Sequence, residues 1–377
     1  MDQIRTAVIG FGGMGSKYTK LLRDGAIEGM KLSGICCRNA NGQAVIREEY
    51  PDVALYRDVT DTFAHAQEFD AVVIVTPHDT HVEIGKLAFQ AGKHVFCDKP
   101  AGISTKEVKE LLAEAGTSGM AFAMIFNTRA KPAFQRAKEL LEAGAVGRLT
   151  RAVWVCNTWY RTSCYHHSAP WRSTWSGEHG GLLINQCQHY LDIWQWLLGM
   201  PDQIDAAIDF GKYNDFLVDD SLDLRLLYHT GLRGTLISAS GETPVTNRFE
   251  IWGTKGKLMI EDGARLTLDE NVMETTEFDR INTHVYASLE HHLREIPLPA
   301  EGDPYQILFQ NFSNHIRLGE PLIAPGEEGL KCLEMANGGY LSAWLQKTLP
   351  LPIDDDLYVS MLKQKIEQEE RSNQSLI

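Results

Sequence analysis

Asn185, His189 and Asp192 fall at positions i, i+4 and i+7 of "GGLLINQCQHYLDIWQWLLG" (180–199). On a helix that spacing lines up an amide, an imidazole and a carboxylate on one stripe. Around them stand Leu183, Leu191, Ile193, Trp194, Trp196 and Leu197. Two readings fit a polar stripe on an apolar helix. One is a hydrogen-bonded core network, the other a face turned to a substrate. In the second, His189 takes a hydroxyl proton, because an imidazole titrates near neutrality. Asp192 orients it or, with Asn185 and Gln186, holds neighbouring hydroxyls.

A second set lies near the N-terminus. "AVIGFGGMGSKY" (7–18) holds Gly10, Phe11, Gly12, Gly13, Met14 and Gly15, with Gly10, Gly12 and Gly15 in GxGxxG spacing. Gly10 permits a tight turn out of a strand, Gly12 lets a phosphate approach the backbone, and Gly15 lets a helix pack closely. The acidic residue that selects NAD at the end of the next strand is replaced by Cys37, followed by Arg38 and Asn39. Arg38 is suited to a 2′-phosphate or to stacking on adenine. NAD(H) is favoured, with NADP(H) left open.

Lys99 is the penultimate residue of "HVFCDKP" (94–100). The C-terminal end of a parallel strand is where open α/β sheets bind ligands, and a desolvated lysine there can steady a developing alkoxide. Asn127 and Arg129 follow another strand and could reach a substrate; a salt-bridge role for Arg129 is the alternative. The segment 157–181 carries Trp159, Arg161, Trp171 and Arg172 among further aromatics. Aromatic faces with guanidinium donors suit a pyranose ring, or they anchor the loop. His166, His167 and His179, or Cys187 with His189, are conceivable metal ligands. Neighbouring strand histidines diverge and no HxxxH or CxxC spacing is present, so no metal is expected.

The elements needed to position these groups are legible. Residues 1–128 alternate continuous apolar strands ("IRTAVIG", "KLSGICCR", "AVVIVTP", "HVFCDKP", "AFAMIFNT") with amphipathic helices. That pattern means a parallel sheet covered on both faces, a Rossmann dinucleotide-binding domain. Residues 129–350 have longer, partly alternating strands and form an α/β domain with a large open, mostly antiparallel sheet. Helices near 304–318 and 326–346 return to the first domain, and 351–377 reads as a polar tail that frays.

At 377 residues the chain exceeds one ordinary core. A formal charge of −14 without a basic run argues against nucleic acid and anionic membranes. The longest apolar run, "AVVIV", is too short for a bilayer, and "MDQIRTAVIG" enters a strand without a signal-peptide core. Seven cysteines at irregular spacing suggest reduced thiols in a cytoplasm.

With the glycine motif, "TPHDTH" (76–81), "DKP" (98–100), "GGLLINQCQHYLD" (180–192) and "EIWGTKGKL" (250–258) in this order, the chain resembles the Gfo/Idh/MocA oxidoreductases over nearly its whole length. The resemblance implies hydride transfer between a sugar or cyclitol carbinol and a nicotinamide, and oligomer contacts through the C-terminal sheet. It places Thr76, Pro77 and His81 along the cofactor and aligns Asp98-Lys99-Pro100 with the family's Glu-Lys-Pro. Lys99 then points at the reacting carbon, and His189 with Asp192 matches the family's His and Asp. Asn185 stands where the family usually has Asp, and Cys187 where it has Gly. "WYRT" (159–162) and "WRSTWSGEHGG" (171–181) resemble a branch that acts on glycosides, with oxidation at C3 in some members.

The function expected is oxidation of a ring hydroxyl of a sugar, glycoside or cyclitol, best placed at C3 of a glucoside. The helix stripe would face the nicotinamide across the domain cleft. Glycoside cleavage on tightly bound NAD by transient oxidation is the alternative, and a non-enzymatic redox sensor a third. The partners expected are a small carbohydrate and further copies of the chain, without nucleic acid or membrane.

Overall fold

The computed structural model describes residues 3–374. Its contacts divide the chain into two units. One comprises the chain up to Ala130 together with Gly302–Leu333, and the other Lys131–Glu301 together with Glu334 onward.

The first unit is built on strands β1 (Ile4–Ile9), β2 (Met30–Cys36), β3 (Ala54–Tyr56), β4 (Ala71–Ile74), β5 (His94–Cys97) and β6 (Phe122–Met124). All pair in parallel, in the order β3-β2-β1-β4-β5-β6. Every residue of β4 has no exposed surface, which is why the strands read as unbroken apolar runs. The order reverses between β1 and β4, the switch point at which such sheets bind ligands. The sequence reading had singled out neither β3 nor the helices Ala40–Glu49 and Val59–Ala64.

The second unit adds β7 (Leu149–Cys156), β8 (Gln203–Phe210), β9 (Asp219–Leu227), β10 (Arg233–Ala239), β11 (Asn247–Gly253), β12 (Gly256–Glu261), β13 (Arg265–Asn271), β14 (His291–Glu295) and β15 (Leu349–Pro350). They form one nine-stranded sheet, β14-β13-β12-β11-β7-β10-β9-β8-β15. Every pair is antiparallel except β7 with β10. Burial alternates strictly along β12, so one face is packed and the other more open. On the packed face the Trp154 and Phe249 rings stack at 4.3 Å, and Trp194 of the helix Gln188–Leu198 covers Phe249 at 5.3 Å.

Three expectations are corrected. The linear division 1–128, 129–350, 351–377 is replaced by an interleaved one. The helix Pro304–Leu318 belongs to the first unit because Phe309 and Phe312 pack on Phe96, at 4.9 and 4.7 Å. The tail does not fray as a whole: Asp355–Gln374 is a helix that buries Tyr358, Leu362 and Glu369. The expected helix 182–198 is two helices, Leu182–Asn185 and Gln188–Leu198. Cys187 N reaches back five residues to Leu182 O at 2.9 Å, a π-type step that inserts one residue into the turn. Among the described residues, no helix is long and apolar enough to cross a membrane.

Candidate active site

The loop after β1 is shaped by what lies behind each glycine. Gly10 has φ +107°, and a Cβ there would sit 2.6 Å from Val75 O. A Cβ on Gly15 would meet Gly10 O at 2.2 Å. These two glycines are required by the fold itself. Gly12 and Gly13 differ: nothing in the protein lies within 4 Å of an added Cβ. The open space lies at the N-terminus of the helix Gly13–Arg23, where backbone N–H groups and the helix dipole suit a pyrophosphate. A second sign of a ligand is Asn127 Oδ1, which is buried and lacks a hydrogen-bond partner. These residues fit a dinucleotide. Phe11 packs edge-on to Tyr50 at 6.2 Å, and Met14 against the core, so both act by shaping the loop.

Cys37 is buried and turned inward: its Sγ would lie 2.6 Å from a Cβ on Gly42. Beside it Arg38 is exposed. Asn39 caps the next helix, accepting from Asn41 N at 2.8 Å and Gly42 N at 3.3 Å. The side chain after β2 that faces solvent is therefore the arginine.

At the ends of β4 and β5, His81 is 1 % exposed, and both its ring nitrogens lie on backbone carbonyls. Nδ1 is 2.7 Å from Pro100 O and Nε2 2.8 Å from Thr76 O. The ring thus ties the Thr76-Pro77 loop to the Lys99-Pro100 turn, whose peptide bond is cis. It does not offer a nitrogen to a nucleotide, which corrects its expected role. Asp98 accepts from Lys99 N at 2.8 Å and from Tyr18 Oη at 3.3 Å. Burial holds the Asp98 carboxyl above the ordinary carboxylate range, against the pull of the Lys99 charge.

Arg129 is corrected as a substrate group. It is 1 % exposed, donates to Glu328 Oε2 at 2.7 Å and to Ile323 O at 3.1 Å, and is a structural ion pair of the first unit.

In the second unit the expected polar stripe is broken by the step at Gln186-Cys187. Asn185 closes the first helix and donates to Glu178. His189 and Asp192 lie on the second. Asp192 is fully buried, with Gln195 Nε2 at 3.5 Å. The His189 ring faces Trp159 at 6.4 Å and 27°. From Trp159 a ladder of planar groups continues through Arg161 (5.0 Å), Tyr165 (4.8 Å from Arg161), Arg172 (4.6 Å) and Trp171 (4.4 Å). Tyr165 Oη accepts from Arg172 Nη1 at 2.9 Å and from Gln186 Nε2 at 3.2 Å. The aromatics and arginines singled out in 157–181 do gather in one place.

Sequence reasoning missed the groups that hold this ladder. Glu178 accepts from Ser173 N at 2.7 Å as well as from Asn185. Asp219 accepts from Gly181 N at 2.7 Å, Leu183 N at 2.6 Å and Tyr340 Oη at 2.6 Å. Its approach leaves Gly181 no room for a Cβ, which would lie 2.2 Å from Asp219 O. Glu369 accepts from Trp175 N and Ser176 N, each at 2.8 Å. The one available signal was the acidic pair Asp219-Asp220 opening a buried strand. His166 Nδ1 is 2.6 Å from Ser173 Oγ, and burial lowers the pKa of its ring. Among the described residues no three His, Cys, Asp or Glu side chains are grouped to hold a metal.

Comparison with known proteins adds to this geometry. The profile of the oxidoreductase family, NAD-binding Rossmann fold, matches residues 4–126, and that of the GFO/IDH/MocA C-terminal domain matches 134–259. Myo-inositol 2-dehydrogenase of Thermotoga maritima is 23 % identical over 88 % of this chain and 93 % of its own length. The NADP(+)-dependent scyllo-inositol 2-dehydrogenase IolW of Bacillus subtilis is 22 % identical over 93 % and 97 %. Among solved structures, the WlbA dehydrogenase of Bordetella pertussis, crystallised with NADH and UDP-GlcNAcA, superposes with a TM-score of 0.78 at 22 % identity over 93 % and 100 % of the two chains.

Proposed function

The chain belongs to the Gfo/Idh/MocA family of NAD(P)-dependent oxidoreductases, and from that premise we propose that it oxidises a ring hydroxyl of a sugar, glycoside or cyclitol to a ketone, best placed at C3 of a glucoside. The observation that carries this reading is the Trp159–His189 pair with Asn185 and Gln186 nearby, an aromatic face with polar groups suited to a polyol ring. It occurs in a chain whose first unit leaves open space beside Gly12 and Gly13 at a helix start. Bound NAD(P) supplies a hydride acceptor.

The chain's own residues do the rest. His189 takes the proton of the reacting hydroxyl. Lys99, at the end of β5, is the donor suited to steady a developing alkoxide. Asn185, held by Glu178, and Gln186, held by Tyr165, bind neighbouring hydroxyls, and Asp192 supports the helix that carries His189. Inositol dehydrogenases among the relatives support a cyclitol or sugar as substrate. We also place the protein in the cytoplasm, which its free cysteines support. We take it to be a homo-oligomer joined through the more open face of the nine-stranded sheet. We take NAD(H) as the cofactor, with NADP(H) kept open by the exposed Arg38.

The test is a panel of cyclitols, free sugars and glycosides with each nucleotide, read at the NADH absorbance, with products identified by mass spectrometry. Ketosugar with stoichiometric reduced cofactor is expected. Released aglycone without net reduced cofactor would replace this reading with glycoside cleavage. No product from any polyol would overturn it.

A further inference from the structure

Arg161 carries a positive charge that the protein does not answer. Its guanidinium lies over the Trp159 and Tyr165 rings, 5.0 and 4.8 Å from their centroids. Nη1 makes one long bond, 3.3 Å, to the Tyr160 carbonyl. Nε is buried without an acceptor. No carboxylate of the described residues lies within ion-pairing distance of it. Arginine has five donors in a fixed fork, so most of this group's capacity is unspent.

The acidic side chains that line the same cavity, Glu178 and Asp219, are engaged elsewhere. Glu178 accepts from Ser173 N and Asn185, and faces Arg172 Nη1 at 4.0 Å. Asp219 is bound by two backbone N–H groups and the Tyr340 hydroxyl, and burial raises its pKa. Glu178 faces Arg172, and Asp219 accepts from Gly181 N, Leu183 N and the Tyr340 hydroxyl, so neither carboxylate pairs with Arg161. The cavity also contains Asn185 and Gln186. Trp159, on which Arg161 rests, is the ring that faces His189.

We propose that the substrate is an acidic sugar, a hexuronic acid or hexuronide, and that Arg161 binds its carboxylate through the guanidinium fork. Planar fork meets planar carboxylate in two parallel hydrogen bonds, the geometry that arginine provides and lysine does not. The inference rests on the reading of this site as one that oxidises a sugar ring.

The experiment measures kcat/KM of the full chain on a hexopyranoside, the matching hexuronide and the matching 6-phosphate. The hexuronide should exceed the neutral parent by about tenfold or more. In Arg161→Ala the ratio should fall toward one, and Arg161→Lys should restore it only in part. Should Arg161→Ala fail to fold, Arg161→Gln and salt on the unaltered protein replace it: added salt should raise KM for the hexuronide and leave that of the neutral sugar unmoved. Equal turnover of neutral and acidic sugars, with a ratio indifferent to Arg161, overturns the acidic substrate and leaves ring oxidation standing. Preference for the 6-phosphate overturns the carboxylate. Turnover of none of the three overturns the acidic sugar, and ring oxidation falls with it only if the cyclitols fail as well.

Discussion

The two units meet their chemistry by opposite means. In the first, the groups that would receive the cofactor are backbone: a turn at Gly10, open space at Gly12 and Gly13, and a helix start. In the second, the groups that would receive a substrate are side chains on a loop, fixed by partners far along the chain. Trp175 N is held by Glu369, 194 residues away, and Gly181 N by Asp219, 38 residues away. A site made of backbone tolerates change around it and fails when a Cβ is added. A site made of stacked side chains fails when a distant anchor is lost.

The largest effect should come from the two groups proposed to act on the hydroxyl. Lys99→Ala and His189→Ala should each lower kcat by about 10²–10⁴. His189→Ala should leave NADH affinity intact by fluorescence titration, and wild-type kcat/KM in either variant would remove that residue from the chemistry. Next come two glycines that look alike in sequence. Gly15→Ala should cost about 1–3 kcal/mol of stability, because its Cβ overlaps Gly10 O, and should lower Tm. Gly12→Ala should leave Tm unchanged and weaken NADH binding; equal behaviour of the pair would break the distinction between fold and cradle.

Glu369→Ala probes the second unit in the same way. Losing the acceptor for the buried Trp175 N–H and for the Ser176 N–H should cost about 1–3 kcal/mol. Sugar KM should rise several-fold with NADH affinity unmoved. A shift in NADH affinity instead would show that the tail helix serves the cofactor. The smallest effect is electrostatic. Arg5 bonds Asp70 through Nε at 3.0 Å and Nη2 at 2.8 Å and holds its carboxyl below the ordinary value. A lowered carboxyl stabilises the fold above its ordinary pKa, and the contribution is lost as pH falls through the lowered one. Asp70→Asn should therefore cost about 0.5–1 kcal/mol at neutral pH, with the gap to wild type closing below about pH 4. A gap that persists in acid would point to lost packing instead.

Much of this was legible. The glycine spacing, the apolar strands and Lys99 at a strand end led to the Rossmann unit. The arginines and aromatics of 157–181 do meet in one ladder. What could not be read was pairing. Arg129 looked available after its strand, but its partner Glu328 lies 199 residues on. His81 looked like a cofactor ligand until both its nitrogens were accounted for. The helix 182–198 showed an unbroken period, while Cys187 N bonds Leu182 O five residues back and breaks it.

By itself, then, the sequence determined the cofactor loop. The demands on Gly10 and Gly15 arise from turn and packing constraints within a few residues, and such constraints leave a fixed spacing in the chain. Only the tertiary structure decided which carboxylate answers which arginine, that Glu178 holds Asn185, and that Arg161 rests on two aromatic rings and pairs with no carboxylate of the described residues. Those pairings follow from which surfaces the sheet and helices bring together, and no local period encodes them.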